Sequence, residues 1–196
     1  MQIEEVETLE IPLIRSEEFI EHHPPLPIKI VENLIDEKIV IDSEFFSPRG
    51  GPFRAVVCDN LKRCYVTVDI KLIKISLLNC EKTNLTLNES SLGPFEFIDC
   101  TKCTLDLRAK IPYVSFESSN KCCCRQRVGG VAYRNILSHD NSIIIDGKRH
   151  VIPHHFFQPQ TTAKIENDKL IYSFSPLPPL NNIVTIIDSR KRDEDF

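Results

Sequence analysis

The residues with the clearest potential for chemistry are the eight cysteines of this 196-residue chain. Cys100 and Cys103 form a Cys-x-x-Cys pair, and Cys122, Cys123 and Cys124 follow one another directly. Structural zinc takes four thiolate or imidazole ligands in a tetrahedron, which makes these cysteines a candidate zinc site. Consecutive residues of an extended chain, however, point to alternate faces. We therefore expect no metal and interpret the cysteines as buried packing residues.

The histidines offer a second candidate site. His150, His154 and His155 have the spacing of ligands on one helix face, but Pro153 lies inside the run and would break that helix. No glycine-rich sequence that would suit an oxyanion hole accompanies any cysteine, and residues 128–131 (Val-Gly-Gly-Val) form only a turn, not a phosphate-cradling loop. These patterns predict a protein that is not an enzyme and has no catalytic residue and no cofactor.

Charge and composition exclude several functional classes. The formal net charge is −4 and the isoelectric point is about 5.9, so the chain has no overall attraction to nucleic acid or anionic lipid. No stretch has the length of a membrane span, and the first residues are acidic where a secretory signal would be basic. We therefore predict a cytoplasmic protein with reduced cysteines that binds another protein or a small ligand.

A repeated unit in the middle third of the chain must position the residues of any binding surface. Cys80 and Cys100 are 20 positions apart, as are Leu85 and Leu105, and alternating apolar residues flank each centre. Two strands and two corners in each unit match one coil of a parallel β-solenoid, where coils bury their apolar residues only by stacking. The proposed centres are Val57-Cys58-Asp59-Asn60, Leu78-Asn79-Cys80-Glu81, Ile98-Asp99-Cys100-Thr101 and Glu117-Ser118-Ser119-Asn120.

The predicted fold class is therefore all-β, a right-handed parallel β-helix with a C-terminal β-hairpin. A β-sandwich is the alternative, but it gives no reason for a Cys or Asn corner to recur in register. Residues 1–27 are predicted to be an N-terminal extension that ends in a proline-rich segment. Residues 28–175 are predicted to form the β-helix, and residues 176–196 a C-terminal strand and charged tail.

These units resemble the paired β-helical repeats shared by the C-terminal domain of adenylyl cyclase-associated protein and by tubulin-folding cofactor C. Residues 74–82 (Lys-Ile-Ser-Leu-Leu-Asn-Cys-Glu-Lys) resemble the family's Ser-Ile-x-x-Asp-Asn-Cys-Lys-Lys unit, and residues 97–105 resemble its second copy. The resemblance covers residues 28–175, and the short chain is similar to the stand-alone form found in some protists.

The sequence of the coil after residues 97–105 distinguishes the two branches of this family. Tubulin cofactor C carries a Gln-x-Arg there, whose arginine acts as a finger on a GTPase-bound phosphate. Those positions fall on Ile111 and Tyr113, whereas residues 110–115 (Lys-Ile-Pro-Tyr-Val-Ser) resemble the Lys-Val-Pro-x-Ile-Ser of cyclase-associated protein. Arg125 and Arg127, one coil later, keep open a GTPase-activating protein of the cofactor C type, and a purely structural scaffold is a further alternative.

The resemblance implies an actin-monomer-binding protein associated with the cytoskeleton. It would bind ADP-bound monomers and either promote nucleotide exchange and recycling or sequester them, and so regulate actin dynamics. The residues expected to bind actin are Lys82, Asn84, Lys102, Lys110 and Pro112. A homodimer that exchanges its last hairpin strand is also implied, through Lys169, Leu170, Ile171, Tyr172, Ser173 and Phe174.

Overall fold

The computed structural model describes residues 28–46 and 54–177. Three predicted segments lie outside these described residues. They are the N-terminal extension, the turn at residues 48–52, and residues 178–196 of the C-terminal segment. Within the described ranges every regular element is a strand, and no helix there could cross a membrane.

Fifteen strands form two sheets. The strands are β1 (Ile28–Glu32), β2 (Lys38–Ile41), β3 (Ala55–Asp59), β4 (Tyr65–Val68), β5 (Lys74–Leu78), β6 (Asn84–Leu87), β7 (Phe95–Ile98), β8 (Thr104–Leu107), β9 (Tyr113–Glu117), β10 (Cys123–Gln126), β11 (Ala132–Ile136), β12 (Ser142–Ile145), β13 (Lys148–Val151), β14 (Gln160–Glu166) and β15 (Lys169–Ser175). Sheet A has the order β1-β3-β5-β7-β9-β11-β14-β15, and sheet B has the order β13-β12-β10-β8-β6-β4-β2.

Strands alternate between the two sheets from β1 to β12, so the described chain winds through successive coils that each give one strand to each sheet. Neighbouring strands of these coils pair in parallel. The predicted parallel β-helix is thus confirmed, and the β-sandwich is wrong because its sheets would be antiparallel.

The predicted register is correct in the middle coils and wrong in an earlier one. Leu85 pairs with Leu105, as expected, but Val57, which the proposed units lay over Leu78, pairs with Ser76, and Cys58 pairs with Leu77 inside a strand. Leu61 occupies the corner position of Cys80 and donates its N–H to that thiol at 3.4 Å. A small apolar cysteine suits either an inward strand position or a corner, so its identity alone does not determine the register.

The inward-facing residues of both sheets form one core. Phe95 and Phe97 of β7 and Phe116 of the neighbouring strand β9 in sheet A are fully buried. The rings of Phe97 and Phe116 stack with centroids 5.0 Å apart, and Phe95 meets Phe97 edge-on at 4.8 Å. Leu105 and Leu107 close the core from sheet B. The Phe97–Phe116 stack thus joins two neighbouring coils, and contacts of this kind make the stacking cooperative.

Two columns of left-handed residues form the corner between each strand of sheet A and the next strand of sheet B. The first column consists of Asn33, Asn60, Asn79, Asp99, Ser118 and Leu137, and the second of Asp36, Arg63, Lys82, Lys102, Lys121 and Asp140, all with positive φ. Asn and Asp tolerate this conformation better than most residues, which explains their frequency in the columns. The repeated corner also stacks the side chains of each column along the solenoid.

Leu137 departs from this pattern, because its aliphatic side chain is 59% exposed at a φ of 48°. We expect Leu137→Asn to raise the free energy of unfolding by about 0.5–1 kcal/mol, since it relieves left-handed strain without removing buried contacts. Urea unfolding would measure the change. Leu92→Asn is the control, because Leu92 is 73% exposed and lies outside the left-handed set. Equal stability changes for both variants would contradict the argument.

The two ends of the solenoid are closed differently. Lys29 lies in register with the buried Val56, but its ammonium group lies 4.8 Å from the Phe45 ring centroid and donates to the Phe45 carbonyl oxygen. This cation–aromatic cap ends the core at β1. At the other end β13 pairs antiparallel with β12, and β14 and β15 form the predicted C-terminal hairpin at the edge of sheet A. The sequence patterns missed β14.

Candidate partner-binding surface

The cysteines line the inside of the coils. All eight are free, and all except Cys123 are buried. Cys122 and Cys124 face inward on either side of Cys123, as expected for an extended chain. The Cys80 thiol donates to the Leu78 carbonyl at 3.2 Å, and similar thiol contacts recur in the next coil. These side chains therefore pair with backbone groups at the corners.

Serine and asparagine take over these positions in later coils. The Oγ of Ser119, at the position of Cys100, accepts the Cys100 N–H at 2.9 Å, and the Oγ of Ser138 accepts the Ser119 N–H at 2.9 Å. Asn141 follows Cys122 in its column and accepts the Cys122 N–H at 2.8 Å. Since thiol, hydroxyl and amide serve the same corner, the position requires a small hydrogen-bonding side chain and not thiol chemistry.

Burial makes two of the interior thiols, Cys58 and Cys124, poorly suited to reaction. Burial raises the pKa of Cys58 and of Cys124 above the usual thiol value of 9.0, because a thiolate would lose its hydration there. Among the residues the structure describes, no group of three or more His, Cys, Asp or Glu is arranged to hold a metal ion. The buried thiols of the described coils therefore lie in the corners and in inward strand positions as packing residues.

The histidines lie in a strand and a loop, as expected from the proline in their run. His150 lies in β13, and His154 and His155 lie in the loop that leads to β14. The rings of His139 and His154 are 6.5 Å apart, and His155 lies 5.2 Å from Phe174. His154 and His155 therefore pack with other rings at the C-terminal end of the solenoid.

The outward face of sheet A is largely closed by its own polar contacts. Ser76 and Ser115 are buried, and their hydroxyls donate to Glu96 at 3.1 Å and to Glu117 at 2.9 Å. Lys74 forms an ion pair with Glu96 at 2.9 Å. These contacts join β5 to β7 and connect Ser115 to Glu117 within β9.

The outward face of sheet B is more accessible. Its two outward columns are Tyr65, Asn84, Thr104 and Cys123, and Thr67, Thr86, Asp106 and Arg125. Tyr65 is 56% exposed, and the other members are partly exposed or exposed. Short polar side chains on stacked strands form a flat surface, which we call the sheet B face. A rigid, flat surface of this kind suits a protein partner better than a small ligand.

A row of lysines borders the sheet B face. Lys82, Lys102 and Lys121 are exposed and follow one another in the second corner column, which places them about 4.8 Å apart along the solenoid. We call these three residues the lysine stripe. Arg63 precedes it and forms an ion pair with Asp36 at 2.6 Å, and Asp140 follows it. The stripe therefore lies between Arg63 and Asp140 in its column, and its first member, Lys82, forms an ion pair with Glu81 at 3.2 Å.

The structure divides the residues that were expected to bind actin into two groups. Lys82, Asn84 and Lys102 lie together, at the lysine stripe and the adjoining start of the sheet B strands. Lys110 and Pro112 are exposed but lie between β8 and β9, beyond the opposite end of those strands. The two groups thus flank the sheet B face from both sides. Sequence reasoning missed Lys121, which the register with Lys102 identifies.

Arginines and one carboxylate occupy the opposite end of the sheet B face. Asp106 forms ion pairs with Arg127 at 2.7 Å and with Arg108 at 2.8 Å. Gln126 is buried and donates to the Val128 carbonyl, and Tyr133 donates to it in turn. The guanidinium of Arg127 is therefore committed to Asp106, while Arg125 is exposed on the outward column. The residues Gln126 and Val128 do not form the Gln-x-Arg pattern of the cofactor C branch.

These arginines stabilise the charged form of Asp106. Burial alone would raise the pKa of Asp106, but the hydrogen bonds from Arg127 and Arg108 outweigh it and hold that pKa below its ordinary value of 3.8. A carboxylate with a lowered folded-state pKa adds stability above its unfolded pKa, and that stability is lost as the pH falls through the folded pKa.

We therefore expect Asp106→Asn to lower the melting temperature near neutral pH, with a difference from the wild type that shrinks as the pH falls below 3.8. Thermal unfolding followed by circular dichroism across this range would measure it. Asp140→Asn, on the exposed corner, is the control and should leave the melting temperature unchanged. A difference between Asp106→Asn and the wild type that does not vary with pH would contradict the assignment.

Comparison with known proteins supports the resemblance drawn from the repeats. The family model for the C-terminal domain of adenylate cyclase-associated protein (CAP) matches residues 50–124. The crystal structure of cyclase-associated protein from Cryptosporidium parvum has the same fold, with a TM-score of 0.55 and 20% sequence identity over 76% of this chain and 90% of that chain. No curated protein sequence matches the chain. Residues 50–124 are therefore similar to the CAP C-terminal family, and the described chain shares its β-helical fold with that crystal structure.

Proposed function

We propose that this protein binds monomeric actin through the sheet B face and the lysine stripe, with a preference for the ADP-bound state. It then either promotes nucleotide exchange and so recycles monomers, or holds them away from filaments. The site is a binding surface and not a catalytic centre, and the protein acts in the cytoplasm with the cytoskeleton. Lys82, Asn84, Lys102, Lys110 and Pro112 flank the contact surface.

The observation that carries this proposal is the match of residues 50–124 to the CAP C-terminal family, within which the lysine stripe lies. The stripe gives a basic edge in a protein whose net charge is −4. Such a local patch steers association with an acidic protein surface even where the overall charge does not. A solenoid is also rigid, so its face can fit one conformation of a partner better than another. Only such a difference in affinity can shift the partner's nucleotide equilibrium.

Monomeric actin loaded with a fluorescent etheno-adenine nucleotide tests the proposal. We expect tighter binding to the ADP form than to the ATP form, together with either faster release of the nucleotide or reduced polymerisation of pyrene-labelled actin. No change in monomer binding, nucleotide release and polymerisation together would refute the proposal.

We further propose a homodimer that exchanges the last hairpin strand. β15 is the edge strand of sheet A, and its Ile171 and Tyr172 are 45% and 50% exposed. An unpaired edge with apolar side chains is a template for pairing with another chain. Light scattering should give twice the monomer mass for the full chain and the monomer mass for a chain that lacks residues 165–196. A monomeric full chain would contradict strand exchange.

The cofactor C alternative has its own test. It requires Arg125 or Arg127 to stimulate GTP hydrolysis by a partner, and Arg127 is instead paired with Asp106. If Arg127→Ala or Arg125→Ala abolished a stimulated hydrolysis that the wild type produces on a tubulin-like or small GTPase, this alternative would replace the actin proposal.

A further inference from the structure

The first described coil differs from the later coils on its outer side. Ile28 and Ile30 of β1, Ile35 of the following corner and Val40 of β2 are between 52% and 60% exposed. We call these four residues the first-coil patch. Aliphatic side chains that remain exposed together mark a contact surface.

The strand register shows that these positions become polar farther along the solenoid. The four columns continue, coil by coil, as Ile28-Ala55-Lys74, Ile30-Val57-Ser76, Ile35-Lys62-Glu81 and Val40-Thr67-Thr86. By the third coil every column is polar, as expected for a surface in contact with water. Aliphatic outer residues are thus specific to the end where β1 and β2 each have one strand neighbour among the described residues. Such free strand edges are normally covered or charged.

The first-coil patch runs round the coil and does not lie on one plane. Ile28 and Ile30 lie on the outer face of sheet A, Val40 lies on the outer face of sheet B, and Ile35 lies on the corner between them. The two outer faces point away from each other, because the inner faces share one core. A second copy of this chain, another globular partner or a flat lipid surface can contact one face at a time. A chain segment, in contrast, can follow the patch round the corner.

Residues 1–27 are the chain segment nearest to the patch, since they join directly to Ile28. Leu9, Ile11 and Leu13 are spaced two positions apart, so an extended chain would present all three on one side. A tethered segment also has an effective concentration on the order of millimolar at a site within its reach, which a free peptide lacks.

The length of this segment is sufficient for the path. Residues 3–20 can span roughly 60 Å when extended, at about 3.3 Å per residue. The patch extends from Ile28 to Val40, a stretch of the chain that covers at most about 40 Å at the same rise per residue. Residues 3–20 can therefore reach both outer faces and the corner.

Charge opposes this packing in part, so apolar contact must hold the segment. Residues 1–27 contain seven glutamates and one arginine, and residues 28–46 contain five acidic and two basic residues. Lys38 of β2 and Lys62, which follows Ile35 in its column, are exposed and place positive charge beside the patch. These cations offset only part of the repulsion. Salt should therefore strengthen the packing by screening, whereas it would weaken a contact held by ion pairs.

We propose that residues 3–20 wrap around the first coil and cover the first-coil patch. This inference goes beyond the proposed function and does not depend on actin binding. The segment covers the outer side of the coil, because the inner side already ends in the contact of Lys29 with the Phe45 ring, 4.8 Å from its centroid. It protects the free edges of β1 and β2 from pairing with other chains.

Photo-cross-linking in the full-length chain tests the proposal. p-Benzoylphenylalanine at position 30 and at position 40 should each cross-link to residues 3–20 of the same chain on illumination, with a higher yield in about 0.5 M salt. Mass spectrometry of peptides would locate the products. Position 92, in the exposed turn before β7, is the matched control and should not react with these residues. Absence of the product at position 30 or at position 40 would overturn the inference. A product that joins two chains would instead assign the patch to a second copy and overturn it as well.

Thermal unfolding of full-length variants provides an independent test. Leu9→Ser/Ile11→Ser in the segment and Ile28→Ser/Ile30→Ser in the patch should each lower the melting temperature by about 3–6 °C, because each removes one side of the same contact. Together they should lower it no further than the larger single effect, since groups in contact are not additive. Leu92→Ser combined with Leu9→Ser/Ile11→Ser is the control and should give the sum of the separate shifts. An unchanged melting temperature in Leu9→Ser/Ile11→Ser, or additive shifts in the combined segment and patch variant, would refute the inference and leave the actin proposal intact.

Discussion

Replacement of Phe97 by alanine is expected to lower the free energy of unfolding by about 3–5 kcal/mol. Phe97 is fully buried and stacks on Phe116 with a centroid distance of 5.0 Å, while Phe95 contacts it edge-on at 4.8 Å. The substitution removes both ring contacts and leaves a cavity between stacked strands, which can close only if the backbone pairing of neighbouring coils shifts.

Urea unfolding at equilibrium would measure this loss. Phe157→Ala provides the matched control, because Phe157 is 83% exposed and its removal should change the free energy of unfolding by less than about 0.5 kcal/mol. Similar losses for the two variants would show that the Phe95–Phe97–Phe116 stack is not the centre of the core. The Phe157→Ala control would also establish that substitution of this exposed residue leaves the fold intact.

Reversal of the charge on Lys102 and Lys121 is expected to weaken actin binding by about 10- to 100-fold. Both side chains are exposed members of the lysine stripe, so Lys102→Glu/Lys121→Glu places two carboxylates where the partner's acidic surface is proposed to lie. Like charges repel across such an interface, and the loss should appear mainly as slower association that depends on ionic strength.

Stopped-flow association with labelled ADP-actin at several salt concentrations would measure this effect. Lys71→Glu/Lys148→Glu is the matched control, because it changes the net charge equally at exposed positions away from the stripe. If both double variants lost affinity to the same degree, overall charge and not the stripe would explain the binding. An unchanged association rate in Lys102→Glu/Lys121→Glu would remove the stripe from the proposed interface.

Local sequence patterns were sufficient to predict much of the fold. The recurrence of Leu85 and Leu105 identified the parallel stacking, because only neighbouring coils in register place equal residues one above the other. The alternating burial of Cys122, Cys123 and Cys124 followed from the geometry of an extended chain. Cys58 was misplaced, since a cysteine fits a strand interior and a corner equally well and the neighbouring strand decides between them.

The candidate site could be predicted only in part. Lys82 and Lys102 lie one repeat apart and were recognisable from the sequence. Lys121 lies in a corner that carries serine in place of cysteine, so no Cys signal marks its repeat. The separation of Lys110 from Lys102 depends on how far a strand of sheet B extends between them. The exposed residues Phe156 and Phe157 had no periodic signal in the sequence, because they lie in a loop between β13 and β14 and loops do not repeat.

The sequence by itself thus determined the period, the strands of the middle coils and the role of the cysteines as small interior residues, since these depend on neighbours along the chain and on burial. The tertiary structure decided what lies on the surface. Stacking turned the separated residues Lys82, Lys102 and Lys121 into one stripe. The physical reason is that left-handed corners stack side chains from residues 19 or 20 positions apart, so a surface forms only when the coils are wound in register.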